Sequence, residues 1–213
     1  MSDFRIHTCV LGEVSTNCHL IYNVRTKEAV VVDPGDNGPY IMNRCNELGI
    51  HPVAVLLTHG HFDHIMAVKD VCRAFHIQVY AGEKEAALLA DPALNMTGYF
   101  PMRQLSLRPD VLLKDGEEFS LLGFQWKTIE TPGHTEGSVC YYLPQEGVLI
   151  AGDTLFQNSY GRTDLATGSS SQLTDSIINK LFALPEDTMV YPGHGDPTTI
   201  EHEKEYNPIT FYR

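Results

Sequence analysis

Cations are scarce in this chain: 15 Lys and Arg stand against 27 Asp and Glu, a formal charge of −12 at pH 7 over 213 residues. Nucleic acids and anionic membranes are held chiefly by Lys and Arg neutralising phosphates, so that balance disfavours both and points to a small-molecule substrate. No apolar run is long enough to span a bilayer, and no basic-then-apolar leader opens the chain. The five cysteines (Cys9, Cys18, Cys45, Cys72, Cys140) include no C-x-x-C pair. Odd in number and scattered, they read as small core residues of a reducing compartment, and a cytoplasmic location is the expectation. Linkers, repeats and low-complexity tracts are also missing, so residues 1–213 are expected to form one domain without an added C-terminal helical domain.

What the chain has instead is concentrated histidine. Thr58-His59-Gly60-His61-Phe62-Asp63-His64 places three histidines and an aspartate directly after the apolar run Val53-Ala54-Val55-Leu56-Leu57. Burying such groups unpartnered costs on the order of several kcal/mol each. A bound cation offsets that cost and is the first hypothesis.

Short β-like runs open the chain at 4–11, 18–24 and 29–32, the last ending in the turn Asp33-Pro34-Gly35. A helix over 40–48 closes at Gly49, and 53–57 is a strand, short and β-branched. Ile65, Val68, Cys72 and Phe75 recur at helical spacing, so one amphipathic helix is expected over about 63–75. A strand at 77–80 and a short helix at 83–89 follow. Residues 91–110 contain Pro92, Pro101 and Pro109 and no clear period. They read as a long surface connection, with a lid as the alternative. Strands return at 118–122, 124–129, 138–143 and 148–151. A helix marked by Leu173, Ile177 and Leu181 starts at Ser169-Ser170-Ser171 and stops before Pro185. A last strand (189–191) and helix (200–206) complete two β-rich halves with helices outside.

Three more strand ends carry His or Asp between turn residues: Thr131-Pro132-Gly133-His134-Thr135, Gly152-Asp153-Thr154 and Pro192-Gly193-His194-Gly195. Loops at one edge of a sheet are where catalytic groups gather. The candidate ligands are therefore His59, His61, Asp63, His64, His134, Asp153 and His194. That set exceeds one tetrahedral zinc and suits two adjacent cations sharing a carboxylate. His59 and His61 can face one ion from the strand end; Asp63 and His64, opening the helix, can face its neighbour. Imidazole and carboxylate without thiolate suit zinc, with iron and manganese also acceptable. Two such cations activate water at neutral pH and stabilise a developing oxyanion.

These motifs resemble the metallo-β-lactamase superfamily. Its H-x-H-x-D-H signature stands here as HGHFDH (59–64), followed by TPGHT (131–135), GDT (152–154) and PGHG (192–195), with VVDPG (31–35) before them. The resemblance covers nearly the whole chain. It implies an α/β fold, an αββα sandwich of two mixed β-sheets with helices on the outer faces. It also implies His59, His61 and His134 on metal one, Asp63, His64 and His194 on metal two, and Asp153 bridging. Within the superfamily, Gly152-Asp153-Thr154-Leu155-Phe156 through Gly161-Arg162-Thr163-Asp164-Leu165 is similar to small bacterial glyoxalase II-like (hydroxyacylglutathione hydrolase-like) enzymes. That likeness implies two divalent cations, zinc first, and hydrolysis of a small-acid thioester, S-lactoylglutathione first. Asp63 would orient or deprotonate the water as well as bind metal. Full-length glyoxalase II adds a C-terminal helical region that helps hold glutathione; here the chain ends at Arg213, soon after PGHG.

Each residue also has a bland reading. HGHFDH could be a polar loop capped by Asp63, and Asp153 a turn cap; His134 and His194, alone, would read as structural. The four motifs together outweigh this. Asp33 reads equally as a turn residue and as a partner of a ligand imidazole. Thr58, Thr131 and Thr135 are candidates to orient ligand rings. Tyr160 and Arg162 follow Asp153 closely enough to border a substrate pocket, with Arg162 expected to pair with Asp164 ahead of binding a carboxylate. Arg103 and Arg108 are further cations in the long connection. His7, His19, His51, His76 and His202 read as structural or exposed. The first rival is a persulfide dioxygenase with a single iron at His59, His134 and Asp153; the second is a lactonase or other ester hydrolase. A β-lactamase is disfavoured because Asp153 stands where those enzymes use other ligands, and a nuclease by the acidic balance.

Overall fold

In the computed structural model, which describes residues 2–212, each half of the chain builds one sheet. The first half supplies β1 (Phe4–Leu11), β2 (Thr16–Asn23), β3 (Glu28–Val32), α1 (Gly38–Leu48), β4 (His51–Leu56), α2 (Phe62–Ile65), α3 (Val68–Phe75), β5 (Gln78–Gly82), α4 (Ala86–Ala90) and β6 (Val111–Leu113). Its six strands lie in sequence order, β1 to β3 antiparallel and β3 to β6 parallel. Parallel neighbours need crossovers, which α1 and α2–α3 provide.

The second half supplies β7 (Glu118–Leu121), β8 (Phe124–Glu130), β9 (Val139–Leu143), β10 (Val148–Gly152), β11 (Leu155–Phe156), β12 (Ser159–Tyr160), α5 (Ser170–Asp175), β13 (Met189–Pro192), β14 (Thr198–Thr199) and α6 (Ile200–Tyr206). The sheet runs β14-β13-β10-β9-β8-β7, with β10 and β13 parallel, and β11 pairs with β12 apart from it.

The two-residue period of the strands divides each between two cores. Ile21, Val30, Val32, Ala54 and Leu56 meet Trp126, Tyr141, Leu143 and Ile150 between the sheets. Their alternates Leu20, Val31, Val55 and Leu57 pack outward with Ile41 and Cys45 of α1 and Val71 of α3. On the other sheet Cys140, Leu149 and Ala151 pack outward on Leu173, Ile177 and Ile200. Each Val, Leu or Ile among them contributes about 1.5–3 kcal/mol on burial. The arrangement is the αββα sandwich, with strands buried on both faces reading as apolar runs.

One expectation changes, and one alternative is narrowed. The helix expected over 63–75 is two, because the Ala67 N–H donates to the Pro34 carbonyl at 2.9 Å and the chain turns between α2 and α3. The 91–110 connection is not a free lid. Asn95 and Thr97 are buried inside it, and the Asn95 amide donates to the Leu89 and Leu105 carbonyls at 3.2 and 2.9 Å. Its most exposed large side chains are at the tip, with Tyr99 76% and Met102 99% exposed. Strands β6, β11, β12 and β14 are too short for periodicity to reveal. Among the described residues no helix is long and apolar enough to cross a membrane.

Candidate metal centre

The residues after β4, β8, β10 and β13 meet at one edge of the sandwich. The ligand atoms of His59, His61 and His134 lie within 4.8 Å of one another, and so do those of Asp63, His64 and His194. Asp153 lies between the two groups: its Oδ2 is 3.6 Å from His134 Nε2 and 3.5 Å from His194 Nε2, and its Oδ1 is 3.3 Å from His64 Nε2. All the histidine and aspartate ligands expected from the sequence therefore converge.

Hydrogen bonds on the far side of each ring set its tautomer, as inferred from donors and acceptors. The Thr58 hydroxyl donates to Asp33 Oδ2 at 2.6 Å, so at 3.2 Å it accepts from His59 Nδ1 and leaves His59 Nε2 bare. His64 Nδ1 donates to Asp33 Oδ2 at 2.9 Å, and His134 Nδ1 donates to the Arg162 carbonyl at 2.7 Å. Asp33, His59 and His64 also cluster within 4.8 Å. That group is an orienting one, since Asp33 occupies the far nitrogen of His64. The bare Nε2 atoms then point inward.

The inward face is where hydrogen bonding fails. His59 Nε2, His61 Nε2, His64 Nε2 and Asp153 Oδ1 are buried without a hydrogen-bond partner. His61 Nδ1 and His134 Nε2 face each other at 2.8 Å. His64 Nε2, as a lone pair, would face Asp63 Oδ2 at 3.4 Å as well as Asp153. Lone pairs converging in a buried site are relieved by protons or by cations, and this donor set of imidazole and carboxylate fits divalent cations.

The two groups differ electrostatically. Burial holds His59 far below the ordinary imidazole range and His61 down to about 3, so both are neutral and free to ligate. Burial works against a charge on His64 too, but Asp63, Asp153 and Asp33 overcome it and raise the group well above its usual value. Likewise His194 rises to about 10 against its burial through Asp153 and Asp63. Asp63, despite burial, falls to about 2 beside His64 and His194, and Asp153 falls well below the carboxylate range through the same rings. In the second group two carboxylates are thus balanced by two protonated imidazoles, whose protons a cation would displace.

Several supports were invisible in the sequence. Glu85 is fully buried, accepting the Gly60 N–H at 2.8 Å and the Thr135 hydroxyl at 2.9 Å. One carboxylate thereby ties together the loops bearing His59, His61 and His134, and burial pushes it up to about 7. Its Glu-Lys-Glu context reads only as a polar helix start. Thr16 donates to Asp63 Oδ2 at 2.7 Å. Asn17 donates to the Pro192 and Gly195 carbonyls at 3.0 and 2.8 Å, bracketing His194. His19, which burial lowers to about 4, donates through Nε2 to Pro192 at 3.1 Å. Gly193 has no substitute there: a Cβ would overlap Asp153 Oδ1.

Of the remaining expectations, Thr58 orients His59, but the Thr131 hydroxyl sits 2.9 Å from Thr154 and touches no ligand ring. Thr135 acts through Glu85. Arg162 pairs with Asp164 in a fork at 2.7 and 2.8 Å, and Arg103 pairs with Asp36 at 2.7 Å. Arg108 is exposed. Tyr160 and Arg162 do line the cleft over the ligands, a cavity of about 410 Å³ that His61, Asp63, His134, Asp153 and His194 also reach.

Comparison with known proteins identifies the family. A family profile described as the metallo-beta-lactamase superfamily matches residues 11–194. A probable metallo-hydrolase of Bacillus subtilis, YqgX, is 38% identical over 93% of this chain and 94% of its own length. The hydroxyacylglutathione hydrolase GloC of Haemophilus influenzae is 33% identical over 91% of this chain and 92% of its own. Among solved structures, the BLEG-1 B3 metallo-beta-lactamase superposes with a TM-score of 0.90 at 42% identity, covering 96% of this chain and 98% of that one. TTHA1623 in a di-iron-bound form gives a TM-score of 0.81 at 31% identity, covering 95% and 98%.

Proposed function

We propose that this chain, which belongs to the metallo-β-lactamase superfamily, is a single-domain binuclear hydrolase of small-acid thioesters, S-lactoylglutathione being the first substrate to test. The observation that carries the reading is Asp153: one of its oxygens faces His134 of the first ligand group and His194 of the second, among buried atoms that lack partners. Its likeness to a hydroxyacylglutathione hydrolase supports the substrate class.

His59, His61 and His134 would hold one cation and Asp63, His64 and His194 the other, with Asp153 shared. When bound, such a pair acidifies water and supplies a positive pole for the thioester carbonyl. Zinc is the first assignment; iron or manganese suits the same donors. Asp63 is ionised at neutral pH, borders the cleft and is fixed by Thr16, so it can orient the water and take its proton at Oδ2. A thiolate leaves readily, its conjugate acid having a pKa of about 8.5, so no strong general acid is needed. Tyr160 and Arg162 line the cleft wall, which supports a role for them in substrate contact.

The test is metal content measured beside hydrolysis of S-lactoylglutathione, in the wild type and in His61→Ala. Two cations per chain with thioesterase activity, both reduced in the variant, support the reading. No thioesterase activity in metal-replete protein, with unchanged metal in the variant, refutes it. A second reading is a persulfide dioxygenase with a single iron at His59, His134 and Asp153; the di-iron form of a 31% identical structure supports iron as a metal for such a donor set, though not its number. One iron per chain with oxygen uptake on glutathione persulfide would establish that instead. Lactones and a β-lactam complete the substrate panel, the latter because of the likeness to BLEG-1.

A further inference from the structure

Beside the metal cleft lies a second cavity of about 370 Å³, and the two share Val14, Phe62 and Asp63. Four segments build it, the turn after β3 bringing Gly35 and Asp36. The β1–β2 turn brings Val14, the ligand motif itself brings Phe62, and the 91–110 connection lays Phe100 and Arg103 across the top. The Phe62 and Phe100 rings meet with centroids 5.1 Å apart. With Met66 they form an apolar lining, in a space whose size falls within the range of small-molecule sites.

Charge decides what this space accepts. With Asp63 committed to a cation, Glu13 and Asp36 line it against one guanidinium, that of Arg103. Both Asp36 oxygens already occupy that guanidinium, at 2.7 and 3.4 Å. An entering carboxylate would meet net negative charge and no uncommitted cation, whereas an uncharged apolar group loses nothing and gains burial.

Asp63 lines both cavities, so a carbonyl attacked beside it can send one substituent into each. The first cavity, where Tyr160 and Arg162 stand among Met96, Phe156 and Leu165, is left for the thiol arm. We infer that the second cavity is an acyl subsite, selecting thioesters of bulky, uncharged, apolar acids over those of anionic acids. This rests on the thioester hydrolase reading above. Because Phe62 sits inside the H-x-H-x-D-H motif, between His61 and Asp63, acyl shape is sensed directly beside the ligands.

The experiment uses metal-loaded protein and three glutathione thioesters that differ only in the acyl group: lactoyl, phenylacetyl and succinyl. Wild type is expected to show kcat/KM for phenylacetyl at least tenfold above succinyl. Phe100→Ala should lower the phenylacetyl-to-lactoyl ratio about tenfold, the scale of a lost apolar pocket contact. Asp36→Asn, at a surface pair, should free Arg103 and raise succinyl relative to phenylacetyl several-fold; it keeps the test open if Phe100→Ala fails to fold. Equal wild-type kcat/KM for succinyl and phenylacetyl, or ratios unchanged in both variants, overturns the acyl subsite alone. Hydrolysis of none of the three overturns the thioester reading and the subsite with it.

Discussion

Replacing Glu85 by Gln should flatten part of the pH dependence of folding stability in the metal-free protein. Glu85 is fully buried, and burial is the largest influence on its carboxyl. Hydrogen bonds from Gly60, Thr135 and Gly137 pull the other way, yet the group is raised from 4.5 to about 7. The sign follows from proton counting. Between those values the unfolded chain has released the proton and the folded chain keeps it, so stability falls as pH rises through that window. Below it there is no penalty; above it the penalty is complete. At about 1.4 kcal/mol per pH unit, the window is worth roughly 3 kcal/mol. Gln keeps an acceptor for Gly60 but does not ionise. Its imperfect fit to Thr135 and Gly137 adds an offset that does not vary with pH. The assay is urea denaturation of chelator-treated wild type and variant from pH 4.5 to 7.5. The stability difference, wild type minus variant, should fall by about 3 kcal/mol across that range. A difference constant to within about 0.5 kcal/mol would refute the argument.

Chelation should lower Tm, because the unpartnered atoms of His59, His61, His64 and Asp153 lose the cations that satisfy them. A cation held at a hundred times its Kd contributes about 2.7 kcal/mol, which for a chain of this size is roughly 5–10 °C by differential scanning calorimetry. Gly193→Ala pushes a methyl group into Asp153 and His64, so metal per chain should drop toward one by elemental analysis; retention of two would contradict the bridging role proposed for Asp153. Asn17→Ala strips donors from the Pro192 and Gly195 carbonyls around His194. It should cost about 1–3 kcal/mol in urea unfolding, and a loss below about 0.3 kcal/mol would show those carbonyls to be satisfied otherwise.

The candidate ligand residues are readable in the chain because their signal is local. Each His or Asp sits beside Gly or Pro after an apolar strand, and donor type alone narrows the metal. The layers are readable for a similar reason, since alternation in Val30, Val31 and Val32 assigns side chains to opposite faces. Glu85 is not readable: nothing in Glu83-Lys84-Glu85 says which carboxylate is buried until β5, the Gly60 loop and Thr135 close around it. The break after Ile65 depends on the Pro34 carbonyl, and the neutralisation of Arg103 on Asp36, both far away in sequence.

By itself, then, the sequence determines which donors are available, their order along the chain and the strand ends that carry them, because these follow from residue chemistry and backbone period. Only the tertiary structure decides which lone pairs face inward. Tautomer and ring orientation are set by Asp33, Thr58 and the Arg162 carbonyl, two of which arrive from other parts of the chain. The shape and charge of the space beside Asp63 arise the same way, from segments that meet only on folding.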